Sequence, residues 1–155
     1  MFSSTPAAAA LPGIAALLLF TSFSTLTFGS SLDTKQQERQ AATTKFVAQR
    51  LHTWQDRMNL KDWNIQVELV RADQLEPKTL GNIHWDTNIK TASISVLSPL
   101  DYKLAYEPML KDMEFTIVHE LVHLELASLP KSEASRRIEE HAVNEIASAL
   151  LRLAH

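Results

Sequence analysis

Cysteine is absent from this 155-residue chain. Disulfides, cysteine-ligated zinc and a cysteine nucleophile are excluded with it, while the redox compartment is left open. No large excess of charge exists either. The net charge is −3, which gives no electrostatic case for a nucleic acid or an anionic membrane surface as partner. No internal repeat is visible, and the length fits one domain. The first 32 residues lack any charged side chain. Ala7 to Phe20 is mostly apolar, and Ser and Thr dominate from 21 to 31. This is the pattern of an export signal, with Gly29, Ser30 and Ser31 near a cleavage point, although no Lys or Arg precedes the apolar core and Pro12 and Gly13 interrupt it. A disordered apolar tail and an uncleaved anchor over residues 11–30 are the competing readings. The expectation is therefore a signal peptide or disordered tail over 1–31 and a single domain over 33–155. Export to a periplasm or medium is favoured over a cytoplasmic or membrane-anchored protein, and membrane contact is expected only through the N-terminal segment.

Glycine and proline are also missing from Met109 to Leu129. That stretch is apolar and reads as a helix, with Pro108 in its first turn, where the missing N–H costs nothing, and Pro130 at its end. Inside it lies His119-Glu120-Leu121-Val122-His123. Residues i and i+4 of a helix share a face one turn apart, so both imidazoles can reach one metal ion. The glutamate beside the first histidine can then reach a water on that ion. Two histidines and a glutamate among so many apolar neighbours need a reason to be there.

Catalytic zinc usually has three protein ligands. Downstream of His123 the candidates are Glu125, Glu133, Glu139, Glu140, His141, Glu145 and His155. Ser132 to Leu153 reads as a second helix, with Ser132 as N-cap and Glu133 in the first turn. Its apolar stripe is Val143, Ile146, Ala147 and Leu150. At about 100° per residue, Glu139 and Glu140 fall on the two shoulders of that stripe, and His141 and Glu145 face solvent. The helix can present Glu140 toward the histidines, with Glu139 as the second choice.

The pair of motifs, His119-Glu120-Leu121-Val122-His123 and Glu140-His141-Ala142-Val143-Asn144, resembles that of the gluzincin metallopeptidases. The short spacing is similar to minimal single-domain gluzincins and related small bacterial and phage metallopeptidase-like proteins. The resemblance covers about residues 60 to 152. It implies a zincin-like α+β fold and one Zn2+ held by His119, His123 and Glu140. It also implies Asn144 as support for a histidine ligand. It further implies that the edge strand beside the motif helix pairs with an extended peptide or protein substrate, and the matching segment is Ala92 to Leu97, with Ala92, Ile94 and Val96. Larger gluzincins carry a His or Tyr after the third ligand to stabilise the oxyanion. Here Tyr102 and Tyr106, upstream, are the candidate replacements.

The rest of the chain completes an α+β domain. Asp33 to Met58 reads as a helix, with Phe46, Val47, Leu51, Trp54 and Met58 at three- and four-residue spacing. Asn64 to Val70 alternates as a strand with one buried face. Leu80 to Trp85 and Ala92 to Leu97 are further strands, joined through Asp86, Thr87 and Asn88. Gly81 marks a bulge or a close backbone approach. His84 is a weak competitor for metal and more simply an ordinary strand histidine. Trp63 and Trp85 either wall the cleft or pack. The expected architecture is a small mixed sheet of about three strands on the motif helix, flanked by an N-terminal and a C-terminal helix. The expected function is hydrolysis of peptide bonds by a water activated on zinc and deprotonated by Glu120. The alternatives are an inactive zinc-binding or regulatory module of the same fold and a zinc amidase. A purely structural site has no use for Glu120.

Overall fold

The computed structural model describes residues 31–129 and 133–154, with side chains over 33–129 and 137–154. The proposed signal segment, the N-cap at Ser132, the break at Pro130 and the ligand candidates Glu133 and His155 lie outside what is described. No described helix is long and apolar enough to cross a membrane. The order is α1 (Ser31–Arg57), β1 (Asn64–Val70), β2 (Gly81–Asp86), β3 (Thr91–Leu97), α2 (Tyr106–Glu125) and α3 (Glu133–Ala154), with a short 3-10 turn at Ala72–Gln74. This is the expected α+β arrangement of three helices and a three-stranded mixed sheet.

Strand order is β1-β3-β2, with β1 parallel and β2 antiparallel to β3. This corrects the expectation that Ala92 to Leu97 is an edge strand. The backbone of β3 pairs on both sides, so its polar groups are engaged by β1 and β2 and it offers no edge to a substrate. Its side chains Ala92, Ile94 and Val96 are 6%, 0% and 0% exposed, packed in the core. Among the described residues, the strand with an unpaired edge next to α2 is β2.

α2 lies across the inner face of the sheet. Met109, Met113, Ile117 and Leu121 recur every fourth residue and are fully buried. Removing such side chains from water contributes about 1.5–3 kcal/mol each, which sets the helix's rotation about its axis. Val47, Leu51 and Trp54 of α1 join the same core. A buried polar link fixes α1 to α2: the Trp54 indole N–H donates to Glu114 Oε1 at 2.9 Å, and Arg50 Nη1 lies 3.6 Å from the same oxygen. α3 packs on α2 through Val143 and Ala147, both 0% exposed. Ile146, expected in that stripe, is 41% exposed, because the buried face runs on through the half-buried Leu150 and Leu151 instead.

β2 sits tightly against α2. A Cβ at Gly81 would lie 2.4 Å from Thr116 Cγ2 and 2.8 Å from the Ser95 carbonyl oxygen. Only a residue without a side chain allows this approach, which answers the question the sequence left at Gly81.

Candidate metal centre

With the apolar stripe of α2 turned into the core, the neighbouring line Asp112, Thr116, His119, Glu120 and His123 faces a cleft of about 860 Å³ between α2, β2 and α3. Both histidine side chains are largely buried, at 16% and 12% exposed. Each is held by its Nδ1 from α3. His119 Nδ1–H donates to Asn144 Oδ1 at 3.1 Å, and the Glu139 carboxylate accepts from His123 Nδ1–H at 3.4 Å. Such outer partners fix the tautomer with the lone pair on Nε2.

Both Nε2 atoms then point at one place. They are 3.1 Å apart. The Glu140 carboxylate straddles the pair, with Oε2 3.6 Å from His119 Nε2 and Oε1 3.4 Å from His123 Nε2. Two lone pairs and a carboxylate converge on one point, an arrangement that repels itself unless a cation fills it. Protonation is a poor remedy at His119, where burial first, then the second imidazole, holds the pKa below its ordinary value against the pull of Glu140 and Asn144. A tetrahedral ion with bonds of about 2.0–2.1 Å needs ligand atoms about 3.3 Å apart. The observed separations of 3.1, 3.4 and 3.6 Å surround that value. His119, His123 and Glu140 can therefore hold a metal ion. Two imidazoles and a carboxylate suit a first-row divalent metal.

Glu120 does not join that group. Its side chain lines the cleft and is 6% exposed. Burial first, then the charge of Glu140, pushes its carboxyl up to about 7. A carboxyl so placed exchanges a proton near neutral pH.

The remaining candidates are dispersed. Tyr106 opens α2 under the Arg39 guanidinium, 4.8 Å from its ring centroid. It lies thirteen positions before His119, about 20 Å along the helix, and so cannot stabilise an oxyanion at the triad. The Tyr102 hydroxyl donates to Asp112 Oδ2 at 3.0 Å. Asp112 is two turns from His119, about 10 Å along the axis, and burial with the Asp112 charge raises the Tyr102 pKa. Tyr102 also meets the Thr116 side chain, one turn before Glu120, but neither tyrosine lines the cleft. His84 is exposed and paired opposite Ser93; it lines the cleft but does not join the ligand group. Trp85 lines the cleft, whereas Trp63 packs against the core. His141 and Glu145 are exposed.

Sequence reasoning read Glu139 only as a rival ligand and missed its part as the anchor of His123. The signal was partial: Glu139 and Glu140 flank the apolar stripe on opposite shoulders, and Asn144 lies beside Glu140. It also missed Phe115, one turn before His119, whose ring centroid is 6.2 Å from the His119 ring. No family model, no curated protein and no solved structure matches the chain.

Proposed function

We propose that the chain is a small zinc-dependent peptidase of gluzincin type, acting outside the cytoplasm, with His119, His123 and Glu140 holding one zinc ion and Glu120 as general base. The observation that carries this reading is the convergence of both Nε2 atoms and the Glu140 carboxylate beside a buried glutamate on one cleft. Two imidazoles with a carboxylate are the donor set of catalytic zinc sites that keep an open position. When bound, zinc supplies a Lewis acid that lowers the pKa of a water toward about 7 and polarises a carbonyl.

The chain's own residues supply the rest. Asn144 and Glu139 hold the two imidazoles in the ligating tautomer. Glu120 accepts the proton of the attacking water and passes it to the leaving amine, a role that its place on the cleft beside the ligand residues suits. The free edge of β2 replaces β3 as the strand along which an extended substrate pairs, through main-chain hydrogen bonds. Leu80, Trp85 and Phe115 add apolar surface to the cleft.

The absence of Tyr102 and Tyr106 from the lining of the cleft favours one second reading, a zinc-binding module of the same fold with little or no turnover. A mixed peptide library separates the two. The peptidase reading expects cleavage by the zinc-loaded protein and a loss of at least about 10²-fold in Glu120→Gln, with zinc retained. No cleavage by the parent protein would favour the module, and undiminished turnover in Glu120→Gln would remove Glu120 from the mechanism.

A further inference from the structure

Gly81 opens β2 at a point where α2, β2 and β3 crowd together. A Cβ there would lie 2.4 Å from Thr116 Cγ2, 2.8 Å from the Ser95 carbonyl oxygen and 3.4 Å from Glu120 Oε1. Thr116 and Glu120 are four residues apart on α2, so they stand next to each other on one face, about 6 Å apart along the axis. The backbone of β2 therefore rests against the Thr116 methyl, beside the general base of the proposed reaction.

The ladder fixes which groups that backbone offers. Leu97 N–H donates to the Leu80 carbonyl at 2.9 Å, and Gly81 stands opposite Val96. Hydrogen-bonding sides alternate along an antiparallel strand. Leu80 thus faces β3, and Gly81, Ile83 and Trp85 turn their N–H and C=O toward the free edge. Gly81 brings one such set of groups next to Glu120.

Thr116 is held in place by its own hydrogen bonds. It is buried. Its hydroxyl donates to the Asp112 carbonyl, one turn back, at 3.0 Å, and its side chain also meets the Tyr102 hydroxyl. That phenol in turn donates to Asp112 Oδ2 at 3.0 Å. A threonine in a helix chooses between two χ1 rotamers, and the bond to the carbonyl one turn back selects one of them. The methyl is thereby fixed against β2. Thr116 is not one of the ligand residues.

We propose that Thr116 is a positioning residue: its methyl against Gly81 sets the height of the free edge of β2 over α2, and with it the register in which an extended chain meets the metal ion and Glu120. This inference rests on the reading of β2 as the strand that takes the substrate. A misplacement of about 1 Å at a reacting bond can cost about 10²-fold in rate, so a spacer the size of one methyl is enough to matter.

The test uses the full, zinc-loaded chain and a probe that needs no turnover. Trialanine carries a hydroxamate at its C-terminal end or, through a malonyl link, at its N-terminal end. The hydroxamate takes the metal and the alanines reach along β2, while acetohydroxamate is the anchor alone. By calorimetry one of the two trialanine probes is expected to bind at least about tenfold more tightly than acetohydroxamate, the gain of about two main-chain hydrogen bonds. Thr116→Ser keeps the hydroxyl and removes the methyl. It is expected to lose most of that gain while holding zinc and acetohydroxamate as the parent does. Thr116→Val keeps the methyl and is expected to restore the gain. A merely structural role would lower stability in both variants and leave the gain alone. Gly81→Ala, which pushes the strand the other way, repeats the test if Thr116→Ser does not fold. No gain in the parent, a gain that survives the displacement of β2, or one lost equally in Thr116→Val would overturn the proposal. A library digest by the parent protein separates the two ideas. Cleavage together with a gain indifferent to the methyl defeats this inference and leaves the peptidase reading. A methyl-dependent gain without any cleavage defeats the peptidase reading and leaves this one.

Discussion

Glu120→Gln in metal-stripped protein is a direct probe of the site's electrostatics. The Glu120 carboxyl is buried on a cleft it shares with Glu140, and its pKa is raised from an ordinary 4.5 to about 7. A folded-state pKa above the unfolded one means that the folded protein binds the proton more tightly. The associated stability is fully present below pH 4.5 and is lost as pH rises through 7. At about 1.36 kcal/mol per unit, the loss approaches about 3 kcal/mol by pH 8. Glutamine has nearly the same shape and cannot ionise. Urea unfolding of parent and variant from pH 4 to pH 9 should therefore diverge: similar stability at pH 4, and a variant more stable by about 2–3 kcal/mol at pH 8. Zinc should shrink the difference, because a cation beside Glu120 draws its pKa back down. Parallel profiles across the whole range, or a variant less stable at pH 8, would refute the assignment of a strained, ionisable carboxyl at this position.

Two further outcomes follow from the fold and the chain's start. Gly81→Ala places a methyl 2.4 Å from Thr116 Cγ2 and 2.8 Å from the Ser95 carbonyl, so β2 must shift from α2 at a cost of about 1–3 kcal/mol, read in a urea melt; unchanged stability would show that the approach is not tight. The export reading expects protein recovered from its host to be soluble and to start near Ser30, and N-terminal sequencing that returns Met1 would contradict it.

The helix-borne parts of this account were legible in the sequence because their signal is local. His119 and His123 share a face by their spacing alone, and Glu140 was placed by its angle to Val143. The strands were located to within a residue or so, since Ile65, Val67 and Leu69 alternate as a half-buried strand must. Their order was not legible. Whether β3 or β2 carries the free edge depends on pairing between residues far apart in sequence, and the unbroken burial of Ala92, Ile94 and Val96 is the trace that a central strand leaves. Tyr102 and Tyr106 failed as candidates because chemical type was known without distance. Glu139 was seen at the edge of the apolar stripe, but which nitrogen it would meet is a matter of how α3 docks on α2.

Zinc stoichiometry is the measurement that bears most directly on the central claim. The chain, stripped and dialysed against buffered zinc, is assayed by elemental analysis beside His119→Ala/His123→Ala, Glu140→Ala and Glu139→Ala. One tightly held equivalent is expected in the parent, none in the double histidine variant, a severe loss in Glu140→Ala and a weaker but detectable site in Glu139→Ala, where only the support of His123 is removed. Near-stoichiometric zinc in the double histidine variant would contradict the account, and zinc lost with Glu139 but kept without Glu140 would move the third ligand by one residue.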